Sequence, residues 1–361
     1  MKFSSGPRVP RGKRISVFKY NNMSKPIIAI TMGDPAGIGP EVILKALGQD
    51  EVRESARFLI FGDANILHRE ANKLDFKIPL IPIPELSQAE FPANVLEIIN
   101  LTILNPSLEH GRPMAASGDA SFKYIKAAAL SAIKGEVDAV VTAPISKEAL
   151  KLAGHGYPGH TEILAELCKT DDYAMMLAGP HLRVVLCTIH VPYAKVPLLL
   201  SREVVFKTIR ITHESLSRYL GRKPRIAVAS LNPHAGEGGM FGDEEARFIK
   251  PAVDEAYSKG IDASGPYPPD TLFYWASKGK YDAVVCMYHD QGLIPLKLLD
   301  FEKGVNVTLG LPIIRTSVDH GTAFDIAGKG VADSSSMVEA VRMAVEMAQR
   351  TVKSKCNYSG G

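Results

Sequence analysis

The chain has 361 residues, of which 46% are apolar and 22% are charged, and this length predicts two domains of roughly 100–200 residues with a sizeable core. With 30 Gly, 24 Pro and four Cys, the composition excludes a collagen-like chain, a low-complexity disordered chain and a small disulfide scaffold. The formal net charge is +3, but residues 1–25 hold seven of the 42 basic residues and none of the 39 acidic ones. Residues 26–361 therefore have a net charge of −4, so the charge does not indicate a nucleic-acid partner.

The basic amino-terminal segment lacks the apolar stretch of about 7–15 residues that a secretory signal needs. We expect residues 1–24 to be a disordered extension, with the working protein beginning at Met23, or alternatively an organelle transit peptide. No apolar run reaches the roughly 18–20 residues that cross a bilayer, so no membrane partner is expected. The cysteines form no CxxC pair, which favours free thiols in a reducing cytoplasm. They are Cys168, Cys187, Cys286 and Cys356.

Short β-rich apolar runs alternate with longer amphipathic runs, which is typical of an α/β protein with a parallel sheet. In chain order, the predicted strands are residues 27–31, 58–61, 139–142, 183–188, 225–229, 283–287 and 305–308. The predicted helices are residues 40–47, 118–134, 201–220, 243–257 and 335–351. Residues 76–116 carry several prolines and little periodicity, which predicts a rim of short strands and loops.

Three histidines stand at or just beyond the carboxyl ends of predicted strands. His190 follows RVVLCTI, His234 follows RIAVASLNP, and His289 follows YDAVVCMY. In an open α/β sheet these strand ends face the crevice in which ligands bind, so the three imidazoles can face one cavity. Three imidazoles and an open position are the ligand set of a catalytic zinc or a similar divalent ion. A structural hydrogen-bonding role is the alternative for each histidine.

Two glycine-rich segments resemble phosphate-binding loops without matching their patterns. Residues 154–161, GHGYPGHT, have His160 where the P-loop of a nucleoside triphosphatase needs lysine, so that function is excluded. Residues 234–242, HAGEGGMFG, do not give the G-x-G-x-x-G spacing of a Rossmann fold. Backbone N–H groups around Gly236 and Gly238 can hold a pyrophosphate. The alternative is a long turn that needs positive φ angles at these glycines.

Two further segments resemble the isopropylmalate and isocitrate dehydrogenases. Residues 319–330, DHGTAFDIAGKG, are similar to their cofactor loop, and residues 32–42, MGDPAGIGPEV, are similar to their GDGIGPEV opening with two residues inserted. The resemblance implies NAD binding without a Rossmann unit, with Gly321 and Asp325 in the cofactor loop. A carboxylate at Asp325 would accept hydrogen bonds from ribose hydroxyls and repel the 2′-phosphate of NADP, so NAD is favoured over NADP. A capping or turn role is the alternative for Asp325.

The longest motifs are those of one family. They are GDPAGIGPE, YPGHTE, LNPHAGEGG, PPDTLF, MYHDQGLIPLK and GVNVTLGLPIIRTSVDHGTA. On these motifs the chain closely resembles the 4-hydroxythreonine-4-phosphate dehydrogenase family of pyridoxal phosphate synthesis, from about residue 25 to residue 352. The resemblance implies two α/β/α domains of the isocitrate and isopropylmalate dehydrogenase type, with the active site in the cleft between them. It implies a first domain of residues 25–155 and 326–357, and a second domain of residues 156–325 that carries the metal site.

The resemblance also implies roles for individual residues. The family's divalent metal (zinc, or magnesium, cobalt or manganese) falls on His190, His234 and His289. The family's substrate contacts fall on His160, Thr161, Lys297, Asn306 and Arg315. Among these, lysine and arginine suit a phosphate and a carboxylate. The family is a homodimer with a site completed across the subunit interface, so the expected partners are a second copy and a small phosphorylated hydroxy or amino acid.

The implied reaction is the oxidation of 4-phosphooxy-L-threonine at C3 by NAD or NADP. The metal would lower the pKa of the C3 hydroxyl, and the β-keto acid would lose CO2 to give 3-amino-2-oxopropyl phosphate. Asp290 and Asp270 are candidates for the general base because they lie beside the metal motifs, and Lys147 is a candidate because it follows a strand end. Orienting the histidines is the alternative role of the two aspartates.

Other functions compete with this one. A related branch oxidises D-threonate or D-erythronate 4-phosphate to give dihydroxyacetone phosphate, and its substrates carry a hydroxyl instead of an amino group at C2. A more distant branch oxidises a cyclic cis-dihydrodiol dicarboxylate. An acyltransferase of the phosphotransacetylase kind shares the architecture, but acyl transfer needs neither the three histidines nor the DIAGKG loop. A non-catalytic binding protein would not need the full set of polar site residues.

Overall fold

The computed structural model describes residues 25–358, with side chains up to residue 351. The predicted basic extension of residues 1–24 and the side chain of Cys356 lie outside the described residues. The strands are β1 (Ile27–Thr31), β2 (Arg57–Gly62), β3 (Leu80–Ile83), β4 (Leu96–Asn100), β5 (Ala139–Thr142), β6 (Ala174–Ala178), β7 (Arg183–Leu186), β8 (Ile226–Ala229), β9 (Ala263–Tyr267), β10 (Ala283–Cys286), β11 (Val305–Leu309) and β12 (Arg315–Val318). The helices are α1 (Gly39–Leu47), α2 (Asp50–Arg53), α3 (Ala64–Lys73), α4 (Ala115–Ile133), α5 (Lys147–Leu152), α6 (His160–Leu167), α7 (Val196–Leu199), α8 (Arg202–Leu220), α9 (Lys250–Ser258), α10 (Pro269–Ser277), α11 (His289–Asp300) and α12 (Ser335–Tyr358). None of the helices between residues 25 and 358 combines the length and apolarity needed to cross a membrane.

The strands of the described part form one sheet in the order β3-β4-β2-β1-β5-β12-β11-β6-β7-β10-β8-β9. The strands from β3 to β12 in this order pair in parallel. So do β7, β10, β8 and β9 at the other end. Between them, β11 is antiparallel to β12 and β6, and β6 is antiparallel to β7. The sheet therefore consists of two parallel halves joined by antiparallel strands, and the mixed α/β fold class is confirmed.

Apolar residues cover both faces of the sheet, which explains why its central strands are continuous apolar runs. Alternate residues of one strand point to opposite faces. In β7, Val185 belongs to the main apolar cluster and Val184 to a second cluster. In β10, Val285 and Val284 divide in the same way. The strand ends therefore emerge from a packed layer, and the loops that follow them carry the polar side chains.

All seven predicted strands are confirmed, with ends that differ by at most two residues from β1, β2, β5, β7, β8, β10 and β11. The predicted rim in residues 76–116 is also confirmed, since it contains β3, β4 and loops. The predicted strands omit β6, β9 and β12. In β12, RTSV, the reason is that three of its four residues are polar. They are buried because Thr316 and Ser317 donate to the carbonyls of Ala340 and Thr142, at 2.8 and 3.2 Å, and because Arg315 binds neutral oxygens.

The helix predicted over residues 335–351 is confirmed as α12, where Val338, Val341, Ala344, Val345 and Ala348 are all buried, as the 3.6-residue period of an amphipathic helix requires. The prediction of one helix over residues 243–257 is wrong at its start. Residues Glu245–Ile249 form a wider turn of π type, and α9 begins only at Lys250. Proline follows at residue 251, and its missing N–H cannot continue a regular α-helical hydrogen-bond series from the preceding turn.

The division into a first domain (25–155 and 326–357) and a second domain (156–325) stays a prediction. The main apolar cluster extends over both predicted domains, for example from Ile28 to Val285. Strand pairing places β12 beside β5, which joins residues of the two predicted domains within the sheet.

Gly118, in α4, packs directly against the backbone of α5. A Cβ atom on Gly118 would collide with the carbonyl oxygen of Ala149. We expect Gly118→Ala to separate α4 from α5 and to lower the free energy of unfolding by about 1–3 kcal/mol, measured by urea denaturation. Gly156→Ala is the control, because nothing lies within 4 Å of a Cβ atom at Gly156. Equal stabilities of the two variants would contradict this packing.

Candidate active site

Two of the three predicted metal ligands, His190 and His289, lie together beyond the adjacent strands β7 and β10. Their ring centroids are 5.6 Å apart. His289 begins α11, and its Nδ1 lies 2.7 Å from Oδ1 of Asp290, which leaves Nε2 as the nitrogen available to a ligand. Burial, the charge of Lys147 and the neighbouring His289 all lower the pKa of His190, so its imidazole is neutral and has a free lone pair.

The third predicted ligand, His234, lies apart from this pair on the exposed loop after β8. The centroid of its ring is 6.1 Å from that of Phe241. Among the residues whose side chains are described, no three His, Cys, Asp or Glu side chains form a group that could hold a metal. A single chain therefore brings two of the three predicted ligands together and leaves the third outside the group.

The loop that carries His234 has a left-handed backbone. His234, Ala235 and Glu237 have φ angles of 50°, 54° and 42°. This region costs a residue with a Cβ atom roughly 1–2 kcal/mol. Gly236 and Gly238 have φ angles of 81° and 65°, as the turn interpretation of these glycines requires. Their predicted contact with a pyrophosphate stays a prediction.

The buried carboxylate of Glu245 holds this loop in place. Its Oε1 accepts hydrogen bonds from the backbone N–H groups of Leu231 and Asn232, both at 2.8 Å, and its Oε2 accepts one from Nδ2 of Asn232 at 3.0 Å. A Cβ atom on Gly236 would lie 2.9 Å from Oε2 of Glu245. The glycine is therefore required both by its φ angle and by this close approach.

Arg315 is a buried cation whose hydrogen-bond acceptors within the described residues are all neutral. It is 3% exposed, and its Nη2 and Nε donate to Oγ1 of Thr142 at 2.7 and 3.2 Å. Its Nη1 donates to Oγ1 of Thr308 at 3.1 Å and to Oδ1 of Asn306 at 3.3 Å. Burial lowers the pKa of Arg315 to about 9, so the guanidinium stays charged at pH 7. A buried charge of this kind favours a bound anion.

His160 and Thr161 begin α6 close to this cation. Nε2 of His160 is buried and has no hydrogen-bond partner among the described residues. Burial, followed by the charge of Arg315, holds the pKa of His160 well below 6.5, so the ring is neutral. Thr161 is half-buried beside it. The sequence reasoning did not identify Glu162 in the same YPGHTE motif, although its negative charge raises the pKa of both Arg315 and His190.

Lys297, on α11, is half-exposed and forms an ion pair with Asp319. Its Nζ lies 3.1 Å from Oδ2 of Asp319, which directly follows β12. Arg315 is the first residue of the same strand. β12 therefore carries Arg315 at one end and is followed at the other end by Asp319, the ion-pair partner of Lys297. Asp319 was not predicted as a site residue, although it opens the DHGTAFDIAGKG segment.

The two segments that resemble dehydrogenase cofactor regions contact each other. The backbone N–H of Ile38 donates to the carbonyl of Thr322 at 3.0 Å, and a Cβ atom on Gly37 would lie 3.0 Å from Cβ of Thr322. Asp325 and Gly321 are exposed in the second segment. The Asp325 carboxylate accepts no hydrogen bond from residues 25–351, so it is available to a ligand, and its cofactor role stays a prediction.

The three candidates for the general base differ in their positions. Asp290 is bonded to His289, as the orienting role requires. Lys147 begins α5, and its charge acts on His190. Asp270 is exposed in the first turn of α10 and makes no hydrogen bond with the part of the chain that the structure describes. The structure thus associates Lys147 and Asp290 with the histidine pair and shows no such contact for Asp270.

Asp34, in the GDPAGIGPE segment, is a buried carboxyl group that the sequence reasoning did not identify. Its Oδ1 accepts the backbone N–H of Ala36 at 2.9 Å, and its Oδ2 is buried with no partner among the described residues. Burial raises the pKa of Asp34 from 3.8 to about 6. The only signal in the sequence is an aspartate inside a glycine-rich loop after a buried strand.

Comparisons with known proteins agree on one family. Residues 54–344 match the family model described as pyridoxal phosphate biosynthetic protein PdxA. A 4-hydroxythreonine-4-phosphate dehydrogenase of Geobacter metallireducens is 56% identical over 327 residues, which cover 90% of this chain and 96% of the relative. A D-threonate 4-phosphate dehydrogenase of Salmonella typhimurium is 47% identical over 327 residues, which cover 90% of this chain and all of the relative.

A solved structure shows the same similarity. The crystal structure of 4-hydroxythreonine-4-phosphate dehydrogenase from Klebsiella pneumoniae matches 90% of this chain and 99% of its own, with 46% identity and a TM-score of 0.84. The EutD phosphotransacetylase of Staphylococcus aureus, at 14% identity and a TM-score of 0.52, shares the fold alone.

The buried carboxyl group of Asp34 makes stability depend on pH. Its pKa is raised from 3.8 to about 6 in the folded chain, so its contribution is fully present below about pH 4 and is lost as the pH rises to about 6. We expect Asp34→Asn to gain stability relative to the unsubstituted chain between pH 4 and pH 7, by about 3 kcal/mol for a shift of about two pH units. Urea unfolding at both pH values measures this, with the exposed Asp75→Asn as the control. A stability difference that does not change with pH would contradict it.

Proposed function

Because this chain belongs to the family of the pyridoxal phosphate biosynthetic protein PdxA, we propose that it is an NAD(P)-linked dehydrogenase of 4-phosphooxy-L-threonine. Bound NAD(P) would supply the nicotinamide that accepts the hydride when the C3–H bond breaks, and the C3 hydroxyl would lose its proton to a base of this chain. The product, 2-amino-3-oxo-4-phosphooxybutanoate, then loses CO2. The electron pair of the C1–C2 bond moves toward the C3 carbonyl, and protonation at C2 gives 3-amino-2-oxopropyl phosphate.

The observation that carries this proposal is the buried guanidinium of Arg315 with its neutral acceptors. A substrate with a phosphate and a carboxylate supplies the negative charge that Arg315 lacks among its described hydrogen bonds. Lys297 supplies the second cation, and an arriving anion competes with Asp319 for it. His160 is neutral and half-buried, and its buried Nε2, which has no partner among the described residues, suits a hydrogen bond with an uncharged or anionic oxygen. Arg315 and Lys297 thus fix the two ends of the substrate, with Thr161 and Asn306 as neutral contacts.

The chemistry of the histidines fits a divalent metal. His190 and His289 are nitrogen donors with ring centroids 5.6 Å apart, and the carboxylate of Asp290 fixes the ring of His289, as in many metal sites. We assign these two ligands to one chain and His234 to the second copy. Zinc, magnesium, cobalt or manganese bound there would supply a Lewis acid for the C3 hydroxyl.

Lys147 is our choice for the group that takes the proton of the C3 hydroxyl. Its charged form lies near enough to His190 to lower the pKa of that ring, so Lys147 shares the site with the predicted ligands. As the base it would act through its neutral amine, because an ammonium has no lone pair to accept the proton. Asp290 then orients His289. Asp270 remains the second choice for the base, since no described contact connects it to the histidine pair.

A homodimer explains why the group of three histidines is incomplete in one chain. The outer face of α11 exposes Ile294, Leu298 and, directly after the helix, Phe301, at 66, 85 and 75%. These side chains have the spacing of one helix face. They lie on the helix that begins with His289 and carries Lys297, so the apolar face is continuous with the site. We propose that a second copy covers this face and completes both sites.

NAD is the proposed cofactor, because the exposed carboxylate of Asp325 is available to ribose hydroxyls and would repel the 2′-phosphate of NADP. Cys168, Cys187 and Cys286 are free thiols, which supports the proposal of a reducing cytoplasm.

The second candidate function is the oxidation of D-threonate or D-erythronate 4-phosphate. It is favoured by relatives such as the Salmonella typhimurium enzyme, whose identity of 47% is close to that of the 4-hydroxythreonine-4-phosphate dehydrogenases. An acyltransferase activity has only the fold similarity to phosphotransacetylase to support it.

We expect the chain to reduce NAD with 4-phosphooxy-L-threonine faster than with D-threonate or D-erythronate 4-phosphate. A chelator should remove this activity. Arg315→Met should lower kcat/KM by about 10–100-fold, because a charge-assisted hydrogen bond is worth about 1.5–3 kcal/mol. The same variant should fold as stably as the unsubstituted chain, since it removes a buried charge.

Absorbance of NADH at saturating and limiting substrate measures these rates, with the surface variant Arg210→Met as the control. A preference for D-threonate 4-phosphate would assign the chain to the second function. Full activity of Arg315→Met would contradict the role of the buried cation.

Mixing two inactive variants tests whether His234 acts across the interface. His234→Ala and His289→Ala should each be inactive and bind no metal, because each removes one ligand from every site. After unfolding and refolding together, about a quarter of the activity should return, since half of the dimers are mixed and one of the two sites in each is intact.

Metal content, measured by atomic absorption, should recover in the same proportion. Two variants of residues on one side of the site, His190→Ala and His289→Ala, should not complement each other and serve as the control. Recovery in neither mixture would show that all three histidines act within one chain.

A further inference from the structure

A cavity of about 210 Å³ opens at the amino-terminal ends of β7, β8 and β10. Its walls include Arg183, which begins β7, Arg225, which directly precedes β8, and Asp282, which directly precedes β10. The three histidines follow the carboxyl ends of the same three strands. The cavity therefore lies at the opposite ends of these strands and is not part of the site described above.

One carboxylate in this cavity serves two arginines. Oδ1 and Oδ2 of Asp282 lie 2.7 and 2.8 Å from the Nη2 and Nη1 atoms of Arg222, and Oδ2 lies 3.1 Å from Nε of Arg225. The two guanidinium groups hold the pKa of Asp282 well below its usual range, against the effect of burial. The carboxylate is therefore ionised, and it neutralises only one of the two cations.

Arg183 adds a positive charge without a carboxylate partner in residues 25–351. Its Nη1 reaches only the backbone carbonyl of Asp282, at 3.4 Å, and its guanidinium carbon lies 5.7 Å from the ring centroid of Tyr219. Its Nε is buried and has no hydrogen-bond partner among the described residues. A buried N–H of a charged group without an acceptor is costly, and an anion in the cavity would satisfy it.

His181 completes the polar wall, and Lys280 lies next to the wall residues Gly279 and Tyr281 in the chain. Asp300, which is buried, accepts from the backbone N–H of His181 at 3.0 Å and lies 2.6 Å from its Nδ1, so the ring is fixed with Nε2 free of described bonds. Nζ of Lys280 lies 5.4 Å from the ring centroid of Tyr281, another wall residue. The wall itself thus holds two arginines, Arg183 and Arg225, and one carboxylate, Asp282, which also binds Arg222.

We propose that this cavity binds a small oxyanion, either a phosphate monoester or free phosphate. The planar donor groups of Arg183 and Arg225 match phosphate oxygens, and a net positive wall favours a dianion. At roughly 30 Å³ for each water, the space corresponds to about seven water molecules, which suits a phosphate group. A bound anion would hold together the amino ends of the three strands that lead to His190, His234 and His289.

Isothermal titration with inorganic phosphate tests this site. The titration uses the Arg315→Met variant, because the substrate site also attracts phosphate. This variant should bind phosphate, and adding Arg183→Gln should weaken that binding tenfold or more, because it removes a charge-assisted donor. Adding Arg202→Gln, a surface arginine paired with Glu255, should leave the affinity unchanged.

Circular dichroism confirms folding of each variant, and Arg183→Lys provides a second test that keeps the charge but loses the planar fork. It should bind phosphate with an affinity between those of Arg315→Met and the Arg183→Gln variant. Binding of glycerol 3-phosphate at least as tight as phosphate identifies a monoester site, whereas binding of phosphate alone identifies a free-ion site. Absence of phosphate binding to Arg315→Met, or an unchanged affinity after Arg183→Gln, would overturn the proposal.

Discussion

The positive charge of Arg315 lies where the two halves of the sheet meet. β12 pairs with β5 on one side and with β11 on the other, and Arg315 bonds to Thr142 and Thr308 on these two neighbours. Burying an ion costs several kcal/mol unless other groups compensate for it, and hydroxyl oxygens compensate only in part. The fold therefore buries a cation whose desolvation cost an anionic ligand would offset. The neutral state of His160 follows first from burial and then from the same charge, since both lower the pKa of its ring.

The histidine side of the site depends on a different constraint, which is backbone conformation. Strand ends place His190 and His289 together because β7 and β10 are adjacent. His234 follows the next strand, β8, but the left-handed loop held by Glu245 keeps its ring exposed beside Phe241. Strained backbone of this kind persists where function requires a particular presentation of a side chain. An exposed histidine on such a loop suits the proposed role of His234, which is to bind the metal in the site of a second copy.

Local pattern predicted much of the fold and much of the site. The seven predicted strands are real because buried parallel strands are apolar runs, and this signal is contained in a few consecutive residues. It also missed β6, β9 and β12, and in β12 the buried polar residues are satisfied by partners far along the chain. It failed again at Glu245–Ile249, where the proline at residue 251 changes the turn. The strand-end rule selected the three histidines, but it could not select Asp34 or Glu162, which act through burial and charge.

The sequence by itself determined the α/β class, the family motifs and the residue types of the site. These features can be determined from the sequence because hydropathy, spacing and motif identity are properties of residues that are close together in the chain. Only the tertiary structure decided that Arg315 meets Thr142, 173 residues away, and that its described acceptors are neutral. Only the structure separated His234 from the other two histidines and formed the arginine cavity at the far end of their strands. Strand register and burial bring distant residues together, and neither is written in any short stretch of the chain.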